Sequence, residues 1–208
     1  GLSESIELRE KENPGLLPNL RAGSEIVVAS DYGGEKLIYQ SISFVLLNLP
    51  GNEEWDRRRA AFRKAYLPDG REIKYSNLSN TNHTSKALLP FLETADCING
   101  LLITFLLNRS VGKVIAENQR AEIEKVLPEL ASWDNHAFEK LFSVASLLGV
   151  LVSGLSGKDQ NIWWLSDQDE IVANDQRIRT TAKIFGAISG GYLSHNLGAL
   201  KCGTEVFD

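Results

Sequence analysis

The chain has 208 residues, 43% of them hydrophobic and 24% charged, with a net charge of −5. This composition supplies one core of ordinary size and excludes a wholly disordered chain; the mild acidity excludes a global field for nucleic acid, so such a partner would need a local basic face. Cys97 and Cys202 lie far apart with no C-x-x-C spacing, which fits a reducing compartment, gives no sign of a zinc site or disulfide framework, and reads as two buried thiols.

The polar start G-L-S-E-S-I-E-L-R-E is not a signal peptide, and the longest apolar run, Val144 to Leu155, is too short to span a bilayer. A cytoplasmic protein with no membrane partner is expected. The lack of any methionine reads as a processing edge at the first residue.

In chain order, residues 1–24 carry prolines and many charges without a sustained period and read as an N-terminal arm, ahead of a domain over 25–208. Ile26 to Ala29 and Leu37 to Leu47 read as two strands of a hairpin whose turn holds S-D-Y-G-G-E. Glu53 to Tyr66 spaces Trp55, Phe62 and Tyr66 as an amphipathic helix, ended by Pro68-Asp69-Gly70. Arg71 to Ser76 alternates as a short exposed strand. Thr84 or Ser85 is expected to cap a helix through Glu93, and L-L-I-T-F-L-L-N at Leu101 to Asn108 reads as a central strand buried on both faces.

Val114 to Leu155 is helical in pattern, with a break at Pro128 and a cap at Asp134. N-I-W-W-L-S at Asn161 to Ser166 is the last clear strand, and Ile171 to Tyr192 reads as a helix packed on a sheet. The final C-G-T-E-V-F-D reads as the start of a further element, hence a domain truncated at its C-terminus. The order predicts a mixed α/β sheet, an antiparallel first hairpin followed by parallel strands, flanked by helices.

In such a sheet, carboxylates just past neighbouring strand ends meet in space. Asp31 ends the first strand, and Asp167 and Asp169 follow the tryptophan-rich one. If those strands adjoin, three carboxylates converge and call for a hard divalent cation, Mg2+ or Mn2+. The bland alternatives are a turn-opening Asp31, helix-capping Asp167 and Asp169, and an Asp175 that complements a helix dipole.

The strand ending in Asp31, the later E-I-K-Y-S, the apolar strand and the final strand ending W-L-S-D before a helix resemble the RNase H-like superfamily over roughly residues 25–208. The closest resemblance is to an uncharacterised bacterial domain-of-unknown-function family whose first strand ends D-E-S-G. The resemblance implies a metal-dependent nuclease acting on RNA or DNA, with Asp31, Glu72 and Asp167 catalytic and metal-binding, Asp169 or Asp175 completing the cluster, and Lys74 steadying a phosphate.

Two positions depart from that pattern: the glutamate beside the first aspartate is missing from D-Y-G-G-E, and Asn108-Arg109 stand where an acid often closes a strand. An inactive module that binds nucleic acid or a protein partner is the alternative reading. A third, an actin-like ATPase turn at D-Y-G-G, is disfavoured by the lack of a second such turn.

The basic run Arg57, Arg58, Arg59, Arg63 and Lys64 offers a phosphate-binding face, with Arg58 and Arg59 as candidate substrate contacts; the simpler reading is a solvated helix face, since Glu53, Glu54 and Asp56 precede it. His83, His136 and His195 are scattered and read as structural. G-L-S-G at Gly154 to Gly157 lacks nucleophile-elbow spacing and a histidine partner. Of Trp163 and Trp164, on opposite strand faces, at least one belongs in the core.

Overall fold

The structure, a computed structural model, describes residues 2–34, 37–48, 53–70, 73, 82–110, 114–167 and 169–204. In chain order its elements are α1 (Leu2–Glu12), a 3-10 turn (Leu20–Ala22), β1 (Glu25–Gly33), β2 (Tyr39–Asn48), α2 (Glu53–Tyr66), α3 (Asn82–Ala95), β3 (Gly100–Asn108), α4 (Glu117–Val126), a 3-10 turn (Pro128–Ser132), α5 (Asn135–Leu155), β4 (Asn161–Ser166), α6 (Asp175–Tyr192) and β5 (Leu200–Thr204). They divide into two compact units, one of residues 1–48 and 100–208 and the other of residues 49–99.

The larger unit is built on one five-stranded sheet in the order β3-β2-β1-β4-β5. β2 is antiparallel to both β1 and β3, whereas β1, β4 and β5 are mutually parallel, so the expected mixed α/β sheet is what forms. The hairpin between β1 and β2 turns at Gly34, whose φ of 74° lies in the left-handed region and whose hydrogen faces Tyr39 O. β1 is longer than Ile26 to Ala29: it runs through Asp31, which pairs with Ser43 inside the antiparallel ladder instead of opening the turn.

Alternation along the strands sorts the sheet into two faces. One carries Ile26, Val28, Ile42, Phe44, Ile162 and Trp164, all buried in a single core with residues of α5 and α6. The other carries half-buried Val27, Ala29, Val45 and Leu165. β3 corrects the expectation of a central, doubly buried strand. It is an edge strand, with Leu102 70% and Leu106 69% exposed. A continuous apolar run does not reveal whether its second face is covered, and here the covered, central position belongs to β1.

The helical region from Val114 onward breaks at Pro128, and Asp134 caps α5 by accepting the Ala137 N–H at 2.8 Å. α5 is long and apolar enough by length and composition to cross a bilayer, but most of its apolar residues are buried against the sheet, as those of a core helix are. α6 starts later than expected: residues 169–174 form a turn, and its cap is Asn174, not Asp167 or Asp169. Residues 1–24 are more ordered than an arm, since α1 occupies most of the first half and Leu20 is fully buried in the core.

The smaller unit is a helix pair. Phe62, Leu67 and Ala87 form its core, with Ile73 and Phe91 packed on them, and Trp55 meets Phe91 edge-on at 6.2 Å. α3 begins at Asn82, ahead of the expected cap at Thr84 or Ser85. The expected strand Arg71 to Ser76 lies outside the described residues except for Ile73.

Candidate functional site

The parallel pairing of β1 with β4 ends at Ser30 opposite Ser166. The next residue in each segment is an aspartate, Asp31 within β1 and Asp167 just past the end of β4, and both are exposed. Alternation puts Asp31 on the open face with Val27 and Ala29, and Asp167 in line with Trp163 and Leu165. The topology thus brings these two residues to neighbouring segments, Asp31 within β1 and Asp167 one residue past the last β1–β4 pair.

Asp169 goes elsewhere. Its carboxylate meets Lys140 Nζ at 2.8 Å, and its Oδ1 also accepts the Ile171 N–H at 2.9 Å. Lys140 is buried in α5, and it also reaches Glu170 at 3.3 Å, which in turn sits 2.9 Å from His136 Nδ1. Burial disfavours the ammonium, but the adjoining Asp169 and Glu170 carboxylates outweigh it and hold the Lys140 pKa above its ordinary value. Asp169 is therefore engaged with a cation of the protein itself, which removes it from the expected three-carboxylate cluster.

Behind the strand ends, on the core side, a hydroxyl chain ties the same elements together. Trp164 Nε1 donates to Ser30 Oγ at 2.9 Å, Ser30 Oγ lies 2.7 Å from Tyr32 OH, and Tyr32 OH lies 3.1 Å from Ser166 Oγ. Lys140 Nζ stands 4.6 Å from the centre of the Tyr32 ring. Burial, reinforced by the Asp169 and Asp31 charges, pushes the Tyr32 phenol up despite its hydroxyl partners, so it stays protonated. The loop from Asp167 to α6 is held by α6 itself: Arg177 donates to the Glu170 carbonyl, and Thr181 Oγ1 donates to the Ile171 carbonyl at 2.7 Å.

The remaining expected residues sit as follows. Asp175 is exposed in the first turn of α6. Glu72 and Lys74 lie outside the described residues. Arg58 and Arg59 lie on α2 and are paired with Glu54 at 2.5 Å and Asp56 at 3.3 Å, as a solvated helix face would be. Asn108 accepts the Ser110 N–H at 2.9 Å at the end of the edge strand, two strands from β1.

Among the described residues, no group of three or more His, Cys, Asp or Glu side chains is arranged to hold a metal ion. The thiols are half-buried rather than buried, and burial pushes Cys202 up to about 12. Of the adjacent tryptophans, Trp164 is buried in the core and Trp163 lies under Lys201 Nζ at 4.1 Å.

Sequence reading missed two polar pairs. Ser156 does have a histidine, His195 Nε2, at 3.0 Å; but its hydroxyl donates to Val152 O at 2.6 Å and the residue is 1% exposed, so the pair closes the end of α5 and presents no nucleophile. Lys140 went unread because one lysine in an apolar helix looks like a surface position. Its signal was its setting, between Phe138 and Leu141 on the buried stripe.

No protein-family model and no curated protein matches the chain.

Proposed function

We propose that the chain is an RNase H-like, cation-dependent phosphodiesterase acting on RNA or DNA, with Asp31 and Asp167 as the carboxylates that hold Mg2+ or Mn2+. The observation that carries this reading is the register of β1 on β4, whose last pair, Ser30 and Ser166, is followed in each segment by an exposed aspartate. The strand order, with only β2 reversed, supports the RNase H-like assignment.

Carboxylate oxygens fit a hard divalent cation, and the exposure of both aspartates leaves room for its waters and for a phosphate. Glu72 and Lys74, which the resemblance assigns to the same chemistry, lie outside the described residues. A bound cation would supply a polarised water and neutralise phosphate charge. The protein's own part is placement. Lys140 fixes Asp169 and Glu170, and through them the loop that starts with Asp167. The buried stripe of α5 and the reducing pattern of the cysteines support a cytoplasmic setting.

A second reading, a catalytically inactive module that binds nucleic acid or a protein, is favoured by the engagement of Asp169 with Lys140 and by Asn108 at the end of β3. Hydrolysis assays on single- and double-stranded RNA and DNA with added Mg2+ or Mn2+ decide between them. The proposal expects cation-dependent cleavage that Asp31→Asn and Asp167→Asn each abolish. Binding of the same substrates with no cleavage under any cation selects the second reading.

A further inference from the structure

We propose that β3 is a self-association edge, on which a second copy of this chain pairs its own β3 antiparallel about a twofold axis at Thr104. Among the described residues β3 pairs with β2 alone, and no described strand lies on its outer side. The backbone bond from Arg109 N–H to Ile38 O sets the alternation of the ladder. Odd-numbered residues of β3 bond β2, and the N–H and C=O groups of Leu102, Thr104 and Leu106 point outward.

Protein edges are normally blunted by charges, proline, bulges or short length. The other edge of this sheet follows that rule: β5 has five residues, L-K-C-G-T, including Lys201 and Gly203. β3 does not. Its nine residues, G-L-L-I-T-F-L-L-N, include no charge and no proline, and Leu102 and Leu106 are 70% and 69% exposed.

The sequence of β3 also identifies the occupant. Read outward from Thr104 it is apolar-symmetric: Ile103 with Phe105, Leu102 with Leu106, Leu101 with Leu107. Antiparallel pairing about Thr104 sets Leu102 opposite Leu106 of the partner subunit, and the reverse, on one sheet face, which gives four leucines around a threonine pair. Residues directly opposite share a face, so the open face of one copy continues into the open face of the other. The contact is isologous and closes on itself, because it consumes both unprotected edges and leaves only the two β5 edges.

Charge agrees with a dimer of this kind, and area limits its strength. Each copy carries a net charge of −5, and the uncharged strip Gly100–Asn108 is where two such chains can approach without like charges meeting. A nine-residue strand is about 30 Å long, and one strand pairing with its four leucines falls below the roughly 1,200 Å² of a standard stable interface. The dimer is therefore of the weak, reversible class.

Sedimentation equilibrium across about 1 to 200 µM tests this, with Thr104→Lys and Thr104→Glu as variants of an exposed position. The proposal expects a reversible monomer–dimer equilibrium for the wild type, at least about tenfold weakening in each variant alone, and recovery of the dimer when the two variants are mixed. The mixture separates a lost contact from a misfolded variant. A wild type that stays monomeric throughout, open-ended assembly instead of a closed dimer, or a dimer that neither variant disturbs would each overturn it.

Discussion

Lys140, 3% exposed in the second turn of α5, makes an ion pair with Asp169 at 2.8 Å in the loop that follows β4. This one contact joins the core helix to the segment carrying Asp167, and it explains why Asp169 does not join the carboxylates on the open face. Removing one partner of such a pair leaves the other uncompensated at low dielectric. Lys140→Met is expected to lower unfolding stability by about 3 kcal/mol, at the lower end for a buried pair because Asp169 and Glu170 keep some exposure. Urea denaturation measures it, and a loss under about 0.5 kcal/mol would show the contact to be incidental.

The same contact fixes the sign of an alkaline effect. The Lys140 pKa is raised in the folded state, so its contribution is complete below the unfolded lysine value of about 10.4 and fades as pH rises through the raised value. The wild type should lose stability in that window more steeply than Lys140→Met.

Asp134 supplies a second test. Its carboxylate accepts the Ala137 N–H at the start of α5, and that bond holds its pKa below the ordinary carboxylate range. The stabilisation is present above the unfolded value and is lost as pH falls through the depressed one. Asp134→Ala should cost about 1 kcal/mol at neutral pH, and the gap to the wild type should narrow in acid. Thermal melts at the two pH values read both effects; a gap that widens in acid would contradict the assignment.

Gly34 carries the hairpin turn at φ 74°, and a Cβ there would lie 2.4 Å from Tyr39 O. Gly34→Ala therefore meets both a left-handed backbone and a backbone clash, with an expected cost of about 2 kcal/mol. Gly15 has a similar φ of 87° but open space around it, so Gly15→Ala should cost less. Equal costs at the two positions would show that the contact with Tyr39 plays no part.

The sheet was legible because its strands are short apolar or alternating runs between clear breaks: the hairpin, the W-W strand and the Asp134 cap all follow from local pattern. The place of β3 was not. Its run L-L-I-T-F-L-L satisfies a buried strand, and only the sheet order, a long-range fact, shows that Leu102 and Leu106 face outward. The candidate site was half legible for the same reason. The aspartates after the two apolar strands were legible, but that β1 adjoins β4 is a fact of sheet order, and the withdrawal of Asp169 depends on Lys140, nearly thirty residues earlier on a different element.

The most direct test of the account is calorimetric titration of Mg2+ and Mn2+ into the folded wild type, Asp31→Asn and Asp167→Asn. The account predicts saturable binding to the wild type, weakened at least about tenfold by either substitution. No heat of binding to the wild type, or binding that neither substitution changes, would contradict a cation site at the ends of β1 and β4.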